Sequence, residues 1–369
     1  MTGLYIHIPF CASRCVYCGF YSTVRPDLQL RYVDSLCREM AMRQREAEGG
    51  IGTIYLGGGT PSQLSAGSLR RLFTQIQQCF GVDYDSDVEI TMECNPDDVG
   101  EELLRGLPVN RVSMGVQTFS DSRLRFLHRR HTADQARKAV GILRSAGIGN
   151  VSIDLMFGFP DETLEEWERD IDEALSLDVE HISAYGLMFE EGTPLYNMLQ
   201  QGKVRQTDEE VGLRMYELLT DKLTSAGYEH YEISNFARPG FRSRHNSSYW
   251  NDTPYLGLGA AAHSYDRRTR SWNVADIMAY MEGMEHGERR FECESIDPRT
   301  HYDDRVMTAL RTCEGLDLAE LDSHHRDFLL KAAATYINNG KVEIKDGHLR
   351  LTRRGIAVSN LIMSDLMDV

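Results

Sequence analysis

The sequence contains no apolar run long enough to cross a lipid bilayer. A membrane-spanning helix needs about 18 or more consecutive apolar residues, and none occurs among the 369 residues of this chain. The first residues, Met-Thr-Gly-Leu-Tyr-Ile-His, also lack the basic stretch and apolar core of a secretory signal. We therefore expect a cytoplasmic protein with no integral membrane segment.

Basic residues are scarce relative to acidic ones. The chain has 40 Lys and Arg residues against 56 Asp and Glu residues, and its formal net charge at pH 7 is −16. A protein that binds nucleic acid over a wide face needs a local excess of positive charge. The basic clusters at 127–131, 238–244 and 266–270 are short and typical of solvated loops. We expect no nucleic-acid partner, whereas small anions such as carboxylates remain compatible with this charge.

Internal repeats and low-complexity segments are absent as well, which excludes a solenoid or a long disordered linker. The length allows one large domain and a smaller one. Because no secretory signal is present, the eight cysteines indicate bound metal or reduced thiols rather than disulfides. Five of them are isolated in the sequence and are interpreted as core or near-surface thiols: Cys37, Cys79, Cys94, Cys293 and Cys313.

The other three cysteines form one short loop, Cys11-x3-Cys15-x2-Cys18. A cubane [4Fe–4S] cluster is normally held by four thiolates, so three thiolates leave one iron without a protein ligand. That iron can hold the amino and carboxylate groups of S-adenosylmethionine, which is the arrangement that radical SAM proteins use. Loop cysteines without metal and a zinc site remain as alternatives. A structural zinc site needs a fourth ligand, and the sequence has no second CxxC pair.

Strand and helix patterns alternate from residue 4 to about residue 186. Short β-branched apolar runs predict six strands, at 4–8, 53–56, 88–93, 111–115, 151–156 and 181–185. Amphipathic stretches between them predict helices at 27–45, 66–79, 100–105, 133–146 and 164–177. Two further helices and short strands follow to about residue 265. This order predicts an α/β fold with a parallel sheet, either curved into a partial barrel or doubly wound.

Polar and glycine-rich segments follow the strands at one end of this predicted sheet. The cysteine loop follows the first strand, and the run 57–61 (Gly-Gly-Gly-Thr-Pro) follows the second. The runs 93–96 (Glu-Cys-Asn-Pro) and 115–117 (Gly-Val-Gln) end the third and fourth strands, and Asp154 lies in the fifth. Barrel proteins carry their chemistry at the carboxyl ends of the strands. We therefore expect these segments to form a single site.

Several of these side chains suit a cofactor that carries a carboxylate, an ammonium, a ribose and a sulfonium. Arg129 suits the carboxylate through paired hydrogen bonds, and Glu93 or Asp154 suits the hydroxyls or the ammonium. The glycines at 57–59 allow close backbone approach to a ligand, and no Gly-Lys-Ser/Thr follows that would make them a P-loop. Taken singly, each acid is also typical of a helix cap or an ion pair, and the glycine run is typical of a tight turn.

The segment from about residue 290 has a different pattern. Helical stretches at 303–313 and 328–338 precede two alternating segments within 341–351, and a further helix starts at Thr352. Asp346-Gly347, between the alternating segments, is a hairpin signal. Helix, helix, hairpin and helix resemble a winged-helix module, for which the acidic charge favours packing or partner binding over DNA. We predict a core domain at 1–235, a connecting segment at 236–289 and a smaller C-terminal α+β domain at 290–369.

Together the motifs resemble the oxygen-independent coproporphyrinogen dehydrogenase group of radical SAM proteins. The resemblance rests on Tyr5-x-His-x-Pro-Phe-Cys, the cysteine loop, the runs 57–61 and 93–96, and the runs 113–117 (Ser-Met-Gly-Val-Gln) and 154–160 (Asp-Leu-Met-Phe-Gly-Phe-Pro). It implies a partial (β/α)6 radical SAM barrel with a winged-helix-like C-terminal domain. It also implies a [4Fe–4S] cluster on Cys11, Cys15 and Cys18. The implied S-adenosylmethionine site is lined by Tyr5, Tyr17, Gly58, Gly59, Thr60, Glu93, Gln117, Arg129 and Asp154.

Three features depart from the dehydrogenase proper. Phe20 stands where the enzyme has a fourth cysteine, and ten residues precede Cys11 where the enzyme has a substantial N-terminal arm. The run 244–250 (Arg-His-Asn-Ser-Ser-Tyr-Trp) matches the His-Asn-x-x-Tyr-Trp signature of the HemW-type heme chaperones, and the run 255–264 continues that match. All three departures favour resemblance to these chaperones.

The resemblance implies a chaperone that binds heme and delivers it to apo-hemoproteins such as respiratory enzymes, and it is compatible with a homodimer. His245 is the predicted heme ligand, because neutral imidazole is a common axial ligand of heme iron, and His263 is a second candidate. Tyr249 and Trp250 would supply flat apolar surface. Without the family match, His245 is interpreted as a loop histidine beside core aromatics. The alternative functions are the dehydrogenase itself, which decarboxylates propionates by radical chemistry, and a radical SAM enzyme with another substrate.

Overall fold

Six parallel strands form the centre of the molecule. The computed structural model describes residues 1–368. The strands are β1 (Thr2–Ile8), β2 (Ile51–Gly58), β3 (Glu89–Cys94), β4 (Arg111–Gln117), β5 (Asn150–Phe157) and β6 (His181–Gly186). Each pairs in parallel with the next, in chain order. The predicted six-stranded parallel core is confirmed.

The two faces of this sheet differ in polarity. One face presents buried apolar side chains such as Leu56, Met92 and Val112, which lie in one row across β2, β3 and β4. The alternate positions on the other face carry polar groups such as Thr91 and Arg111, which are neighbours in the next row. A doubly wound sheet is covered by helices on both faces, so its strands are apolar on both faces. The polar inner face therefore favours the partial barrel of the two predicted alternatives.

The helices between the strands are α1 (Gln29–Arg43), α2 (Ala66–Phe80), α3 (Asp121–Phe126), α4 (Ala133–Ser145) and α5 (Leu164–Ser176). Of these, α1, α2, α4 and α5 share one hydrophobic core with the apolar face of the sheet. Capping boxes at Thr132 with Gln135, and at Thr163 with Glu166, start α4 and α5 by satisfying amide donors of the first helical turn. No helix among residues 1–368 is both long enough and apolar enough to cross a membrane.

The helix predicted at 100–105 is wrong. This segment forms separate turns, in which the Leu103 amide donates to the Gly100 carbonyl at 3.2 Å and the Arg105 amide donates to the Glu102 carbonyl at 3.4 Å. Gly106 follows with a left-handed φ of 69°. So short a helix, flanked by two glycines, is disfavoured because its first turn is costly to nucleate and few further backbone hydrogen bonds can follow.

The large sheet continues beyond the six parallel strands on both sides. After α6 (Pro194–Gln200) and α7 (Glu209–Ser225), β7 (Glu229–Glu232) and β8 (Asn235–Ala237) extend it antiparallel from β6. On the other side, α8 (Arg244–Trp250) leads into β9 (Tyr255–Leu258), which pairs in parallel with β1. The strands β10 (His263–Tyr265), β11 (Thr269–Asn273) and β12 (Phe291–Ser295) complete a sheet of 12 strands, with α9 (Ile277–Glu285) before β12. The domain boundaries expected at 235/236 and 289/290 stay predictions. The first falls within β8, and the second lies just before β12.

The C-terminal segment forms a second small core. Its elements are α10 (Pro298–Ala309), β13 (Leu316–Asp317), α11 (Ser323–Asn338), β14 (Val342–Lys345), β15 (His348–Leu351), α12 (Arg353–Ile356) and α13 (Ser359–Asp365). The three strands form a separate antiparallel sheet. Asp346 and Gly347 both have positive φ, as a two-residue hairpin turn requires. The predicted order of helix, helix, hairpin and helix is confirmed.

Candidate functional site

A cavity, which we call the cluster cavity, lies at the carboxyl ends of β1 to β5, where the sequence predicts a single site. The cavity has a volume of about 190 Å³ and is open to solvent. The three loop cysteines line it together with Tyr17, Gly58, Gly59, Thr60, Glu93, Gln117, Arg129 and Asp154. Of the residues that the sequence predicts for the cluster and S-adenosylmethionine, the structure brings all but Tyr5 to this cavity.

Backbone hydrogen bonds attach the cysteine loop to the barrel. The Cys11 amide donates to the Thr23 carbonyl at 2.9 Å, and the Val16 amide donates to the Leu127 carbonyl at 3.2 Å. Val16 is buried, whereas all three cysteines are partly exposed. The loop therefore turns its apolar residue inward and its thiols toward the cavity.

The thiols are a suitable donor set for an iron–sulfur cluster. Burial raises the pKa of Cys11 and of Cys18, so a metal would displace a proton from each on binding. Within residues 1–368, no group of three or more His, Cys, Asp or Glu side chains is arranged around one metal ion. A cubane cluster takes one thiolate on each iron, so its ligands are spread apart. The choice between the cluster and the zinc alternative stays a prediction.

Gly58 and Gly59 bring the backbone after β2 into close contact with β1. Gly58 has a φ of 108°, and a Cβ there would lie 2.4 Å from the ring of His7. A Cβ on Gly59 would lie 2.7 Å from the carbonyl carbon of Pro9. Larger residues would push this loop off β1 and change the cavity wall, so the site requires glycine at both positions.

Glu93 is fixed at the end of β3 by two hydrogen bonds. The Tyr55 hydroxyl donates to Oε1 at 2.8 Å, and the Gly58 amide donates to Oε2 at 3.0 Å. Burial raises the pKa of Glu93 to about 7, and the hydrogen bond from Tyr55 opposes that rise. Asp154 in β5 is similar, because burial raises its pKa to about 6 against a hydrogen bond from Ser183. The cavity therefore holds two carboxylates that ionise near neutral pH and suit a cationic ligand.

Arg129 connects the strand ends to the cysteine loop. Its Nη2 donates to Asn95 Oδ1 at 2.7 Å and to the Gly115 carbonyl, and its Nη1 lies 3.6 Å from Cys15 Sγ. A bulge in β4 shifts the register between Gly115 and Gln117. Gln117 has a φ of 68°, which is uncommon for a residue other than glycine. The bulge turns Gln117 into the cavity and leaves the Gly115 carbonyl free for Arg129.

Tyr5 lies beside the cavity rather than in its wall. Its hydroxyl is 3.0 Å from His7 Nδ1, and its ring neighbours those of Tyr55 and His245. It therefore contacts Tyr55, which bonds Glu93. Direct contact between Tyr5 and S-adenosylmethionine stays a prediction.

His245 lies inside the barrel, not on a surface open to heme. It is fully buried at the start of α8. Its Nδ1 is 2.8 Å from Thr53 Oγ1, and its Nε2 is 3.0 Å from the Tyr249 hydroxyl. Burial lowers the pKa of His245 to about 3, so the ring is neutral with both nitrogens engaged. This geometry favours a structural histidine, and heme ligation by His245 stays a prediction that requires the ring to leave its site.

The second candidate heme ligand, His263, lies on the surface. His263 is exposed on β10 and stacks on Trp272 with the ring centroids 5.7 Å apart, away from the cavity.

Sequence reasoning missed Asn95 as a site residue, although its place two residues after Glu93 at a strand end puts both on one side of the backbone. It also missed His128, which lines the cavity with a φ of 61° and has no sequence signal.

Comparisons with known proteins give two family models that match separate parts of the chain. The model of the radical SAM superfamily matches residues 5–174, and that of the HemN C-terminal domain matches residues 296–358. Curated proteins named heme chaperone HemW, from Lactococcus lactis subsp. lactis and Bacillus subtilis, are 33% and 34% identical to this chain. These matches cover 99% and 98% of this chain and 97% of each relative. The solved coproporphyrinogen III oxidase (HemN) of Escherichia coli, a radical SAM enzyme, matches with a TM-score of 0.84 at 22% identity over 100% of this chain and 90% of that chain, which shows the shared fold.

Proposed function

Because the chain belongs to the HemW family of radical SAM proteins, we propose that it binds heme and delivers it to apo-hemoproteins. The observation that carries this proposal is similarity over 99% of the chain to a relative named as a heme chaperone. The acceptors would include respiratory enzymes, and the exchange would take place in the cytoplasm.

Cys11, Cys15 and Cys18 would hold a [4Fe–4S] cluster. Their partial exposure and common cavity support this assignment, as does the match to the radical SAM superfamily. Thr60 Oγ1 is 3.6 Å from Cys11 Sγ and Arg129 Nη1 is 3.6 Å from Cys15 Sγ. Hydrogen bonds of this kind stabilise the thiolate form that binds metal.

The rest of the cavity would bind S-adenosylmethionine. The guanidinium of Arg129 suits the carboxylate, and the carboxylates of Glu93 and Asp154 suit the ammonium and the ribose hydroxyls. The loop of Gly58 and Gly59 would offer backbone groups at close range. Bound together, the cluster and S-adenosylmethionine supply one-electron chemistry, and the protein's part is to orient the ligand and limit the access of water.

Phe20 supports the chaperone over the dehydrogenase. It lines the cavity and is 71% exposed, at the position where the resemblance implies a fourth cysteine in the enzyme. Three thiolates suffice for the cluster, so Phe20 matters as a departure from the pattern of the dehydrogenase. The solved HemN structure supports the fold and, at 22% identity, carries no activity over to this chain.

Two anaerobic assays on the same reconstituted protein test the proposal. Heme titration should give a saturable Soret change at one heme per chain, and the heme should be retained through gel filtration. Incubation with coproporphyrinogen, a reductant and S-adenosylmethionine should give no protoporphyrinogen. Steady turnover of coproporphyrinogen with no heme retained would instead establish the dehydrogenase.

A further inference from the structure

A groove lies where the outer edge of the large sheet meets the C-terminal domain. β7 ends the sheet, and the Cys313 amide and the Tyr231 carbonyl join the two parts at 3.0 Å. Two cavities beside this contact, of ≈ 300 and ≈ 510 Å³, share His230, Arg353 and Ile356 in their walls. We call the two cavities together the interdomain groove. It is separate from the cluster cavity, and the proposed radical SAM site uses none of its residues.

Apolar side chains form much of the groove wall. Leu213, Tyr216 and Ile233 come from the barrel side, and Leu351 and Ile356 come from the C-terminal domain. All five are at least partly exposed, so a flat apolar ligand can contact them. Domain interfaces of this kind are common places for cofactor sites.

His230 in β7 presents one free ring nitrogen. Its Nε2 lies 3.1 Å from the Tyr216 hydroxyl and 3.2 Å from the Ile233 carbonyl oxygen. The Ile233 carbonyl oxygen can only accept, so its distance from Nε2 favours the tautomer with the hydrogen on Nε2, and the Tyr216 hydroxyl can donate to the same carbonyl at 2.8 Å. The lone pair of the neutral ring is then on Nδ1. Within residues 1–368, no hydrogen bond involves Nδ1. Nδ1 is also not one of the buried polar atoms that lack a partner, so it is accessible to solvent.

The surroundings of His230 hold the imidazole in one orientation. Its ring stacks on Phe236 with centroids 4.4 Å apart and an interplanar angle of 12°. Burial lowers the pKa of His230, which keeps the ring neutral at physiological pH. One nitrogen donating to a backbone carbonyl while the other stays free is the usual state of a metal-binding histidine.

The rim of the groove is rich in arginine, although the chain as a whole is acidic. Three arginines pair with acids at 2.6–2.7 Å: Arg311 with Glu232, Arg350 with Glu343, and Arg353 with Asp221. Arg354 is exposed and forms no ion pair with any acid of the described part of the chain. Arginines at the edge of an apolar groove suit the two carboxylates of a porphyrin.

Cys313 is the other potential iron ligand in this groove. Burial and the neighbouring Glu314 raise the pKa of its thiol to about 11. The thiolate is the form that binds metal, so the neutral imidazole of His230 is the better ligand at physiological pH. His245, by contrast, has both nitrogens engaged inside the barrel.

We propose that the interdomain groove is the heme site, with His230 Nδ1 as an axial ligand of the iron and Arg353 and Arg354 at the propionates. This assignment rests on the proposed heme-chaperone function and adds the place where heme binds. Coordination uses the lone pair of Nδ1, and no electron or proton is transferred. The groove is open to solvent on one side, which allows cargo to leave toward an acceptor.

Heme titration of the full-length, cluster-loaded protein tests the assignment. His230→Ala should weaken heme binding at least about tenfold, as expected when an iron ligand is lost, and shift the Soret band, and added imidazole should restore the band. His230→Gln keeps a donor toward Ile233 and should show the same loss, which separates ligation from folding. The matched control is His263→Ala, which lies outside the groove and should bind heme as the wild type does. Cys313→Ser tests the other candidate ligand and should keep the position of the wild-type Soret band. The double variant Arg353→Gln with Arg354→Gln should weaken binding several-fold without moving the Soret maximum.

The outcomes separate this assignment from the proposed function. Wild-type protein that binds no heme would overturn the heme-chaperone function and the site with it. Wild-type protein that binds heme, with both His230 variants unchanged, would overturn the site while the function stands. Loss of heme in Cys313→Ser or His263→Ala, with His230→Gln intact, would move the ligand elsewhere and also overturn the assignment.

Discussion

Replacing Glu93 by Gln removes one negative charge from the cluster cavity and keeps the size of the side chain. Glu93 accepts hydrogen bonds from the Tyr55 hydroxyl at 2.8 Å and the Gly58 amide at 3.0 Å. A glutamine side chain has one acceptor oxygen, so it can satisfy one of the two donors. The variant should fold and keep its cluster, because none of the three loop cysteines contacts Glu93 through a hydrogen bond in the described structure.

The affinity for S-adenosylmethionine should fall in Glu93→Gln. A hydrogen bond to a charged group contributes about 1.5–3 kcal/mol, which corresponds to roughly a ten- to a hundredfold change in affinity. Isothermal titration calorimetry of anaerobic, cluster-loaded protein near pH 8 measures this directly. Glu101→Gln, at an exposed position between β3 and β4, is a matched control and should bind as the wild type does.

The pH dependence of the same pair gives a second test. The pKa of Glu93 is about 7 and that of Asp154 is about 6, so the affinity of the wild type for the cofactor should fall as pH drops from 8 to about 6.

The folding stability of the ligand-free protein should change in the opposite sense, because it should fall as pH rises. The pKa of Glu93 is raised from 4.5 to about 7 in the folded protein, so protonation of Glu93 stabilises the folded state. This contribution to the unfolding free energy is complete below pH 4.5 and is lost as pH rises through 7. Relative to Glu93→Gln, the ligand-free wild type should lose about 3 kcal/mol of unfolding free energy over that interval.

Urea unfolding of both proteins without S-adenosylmethionine, at several pH values, measures the difference. Comparing the two proteins cancels the titration of shared groups that do not interact with Glu93, whereas Asp154 raises the pKa of Glu93 and titrates together with it. Equal cofactor affinity together with parallel stability curves would refute the reasoning that Glu93 is a partly buried, titrating carboxylate in a cation site.

Three further predictions follow from the same geometry. Alanine in place of any one of the three loop cysteines should abolish the iron–sulfur absorbance of reconstituted protein, whereas Cys37→Ala, on the buried face of α1, should keep full iron and sulfide content. Full content in the loop variants would refute the cluster site. Arg129→Ala should weaken S-adenosylmethionine binding by about ten- to a hundredfold with iron content unchanged, and unchanged affinity by calorimetry would remove Arg129 from the site. His245→Ala should lower the unfolding free energy by about 2–4 kcal/mol, because it opens a cavity and leaves Thr53 and Tyr249 without partners. If urea unfolding showed no destabilisation while heme binding was lost, His245 would be a ligand after all.

The sequence predicts the parallel core and the site because both depend on short-range patterns. Each of β1 to β5 is a short apolar run, and the residues that follow it lie at the same end of the sheet by topology alone. Glu93, Arg129 and Asp154 therefore meet in one cavity without any detail of packing being known.

The parts that the sequence does not predict depend on tertiary contacts. The surroundings of His245 are set by Thr53, 192 positions away, and the spacing of the His-Asn-x-x-Tyr-Trp run carries no trace of that contact. The extension of the sheet by β9 to β12 uses short strands of 3–5 residues, which have weak periodicity. His230 carries no motif, and its free Nδ1 follows from the carbonyl of Ile233 and the hydroxyl of Tyr216.

Heme transfer to an acceptor tests the central claim most directly. Heme-loaded protein is mixed under anaerobic conditions with increasing amounts of an apo-form respiratory cytochrome, and the Soret band of the acceptor is followed in time. Delivery by a chaperone predicts a transfer rate that rises with acceptor concentration and exceeds the rate at which heme is lost to a non-interacting scavenger. A transfer rate that is independent of the acceptor and equal to that passive loss would contradict the account.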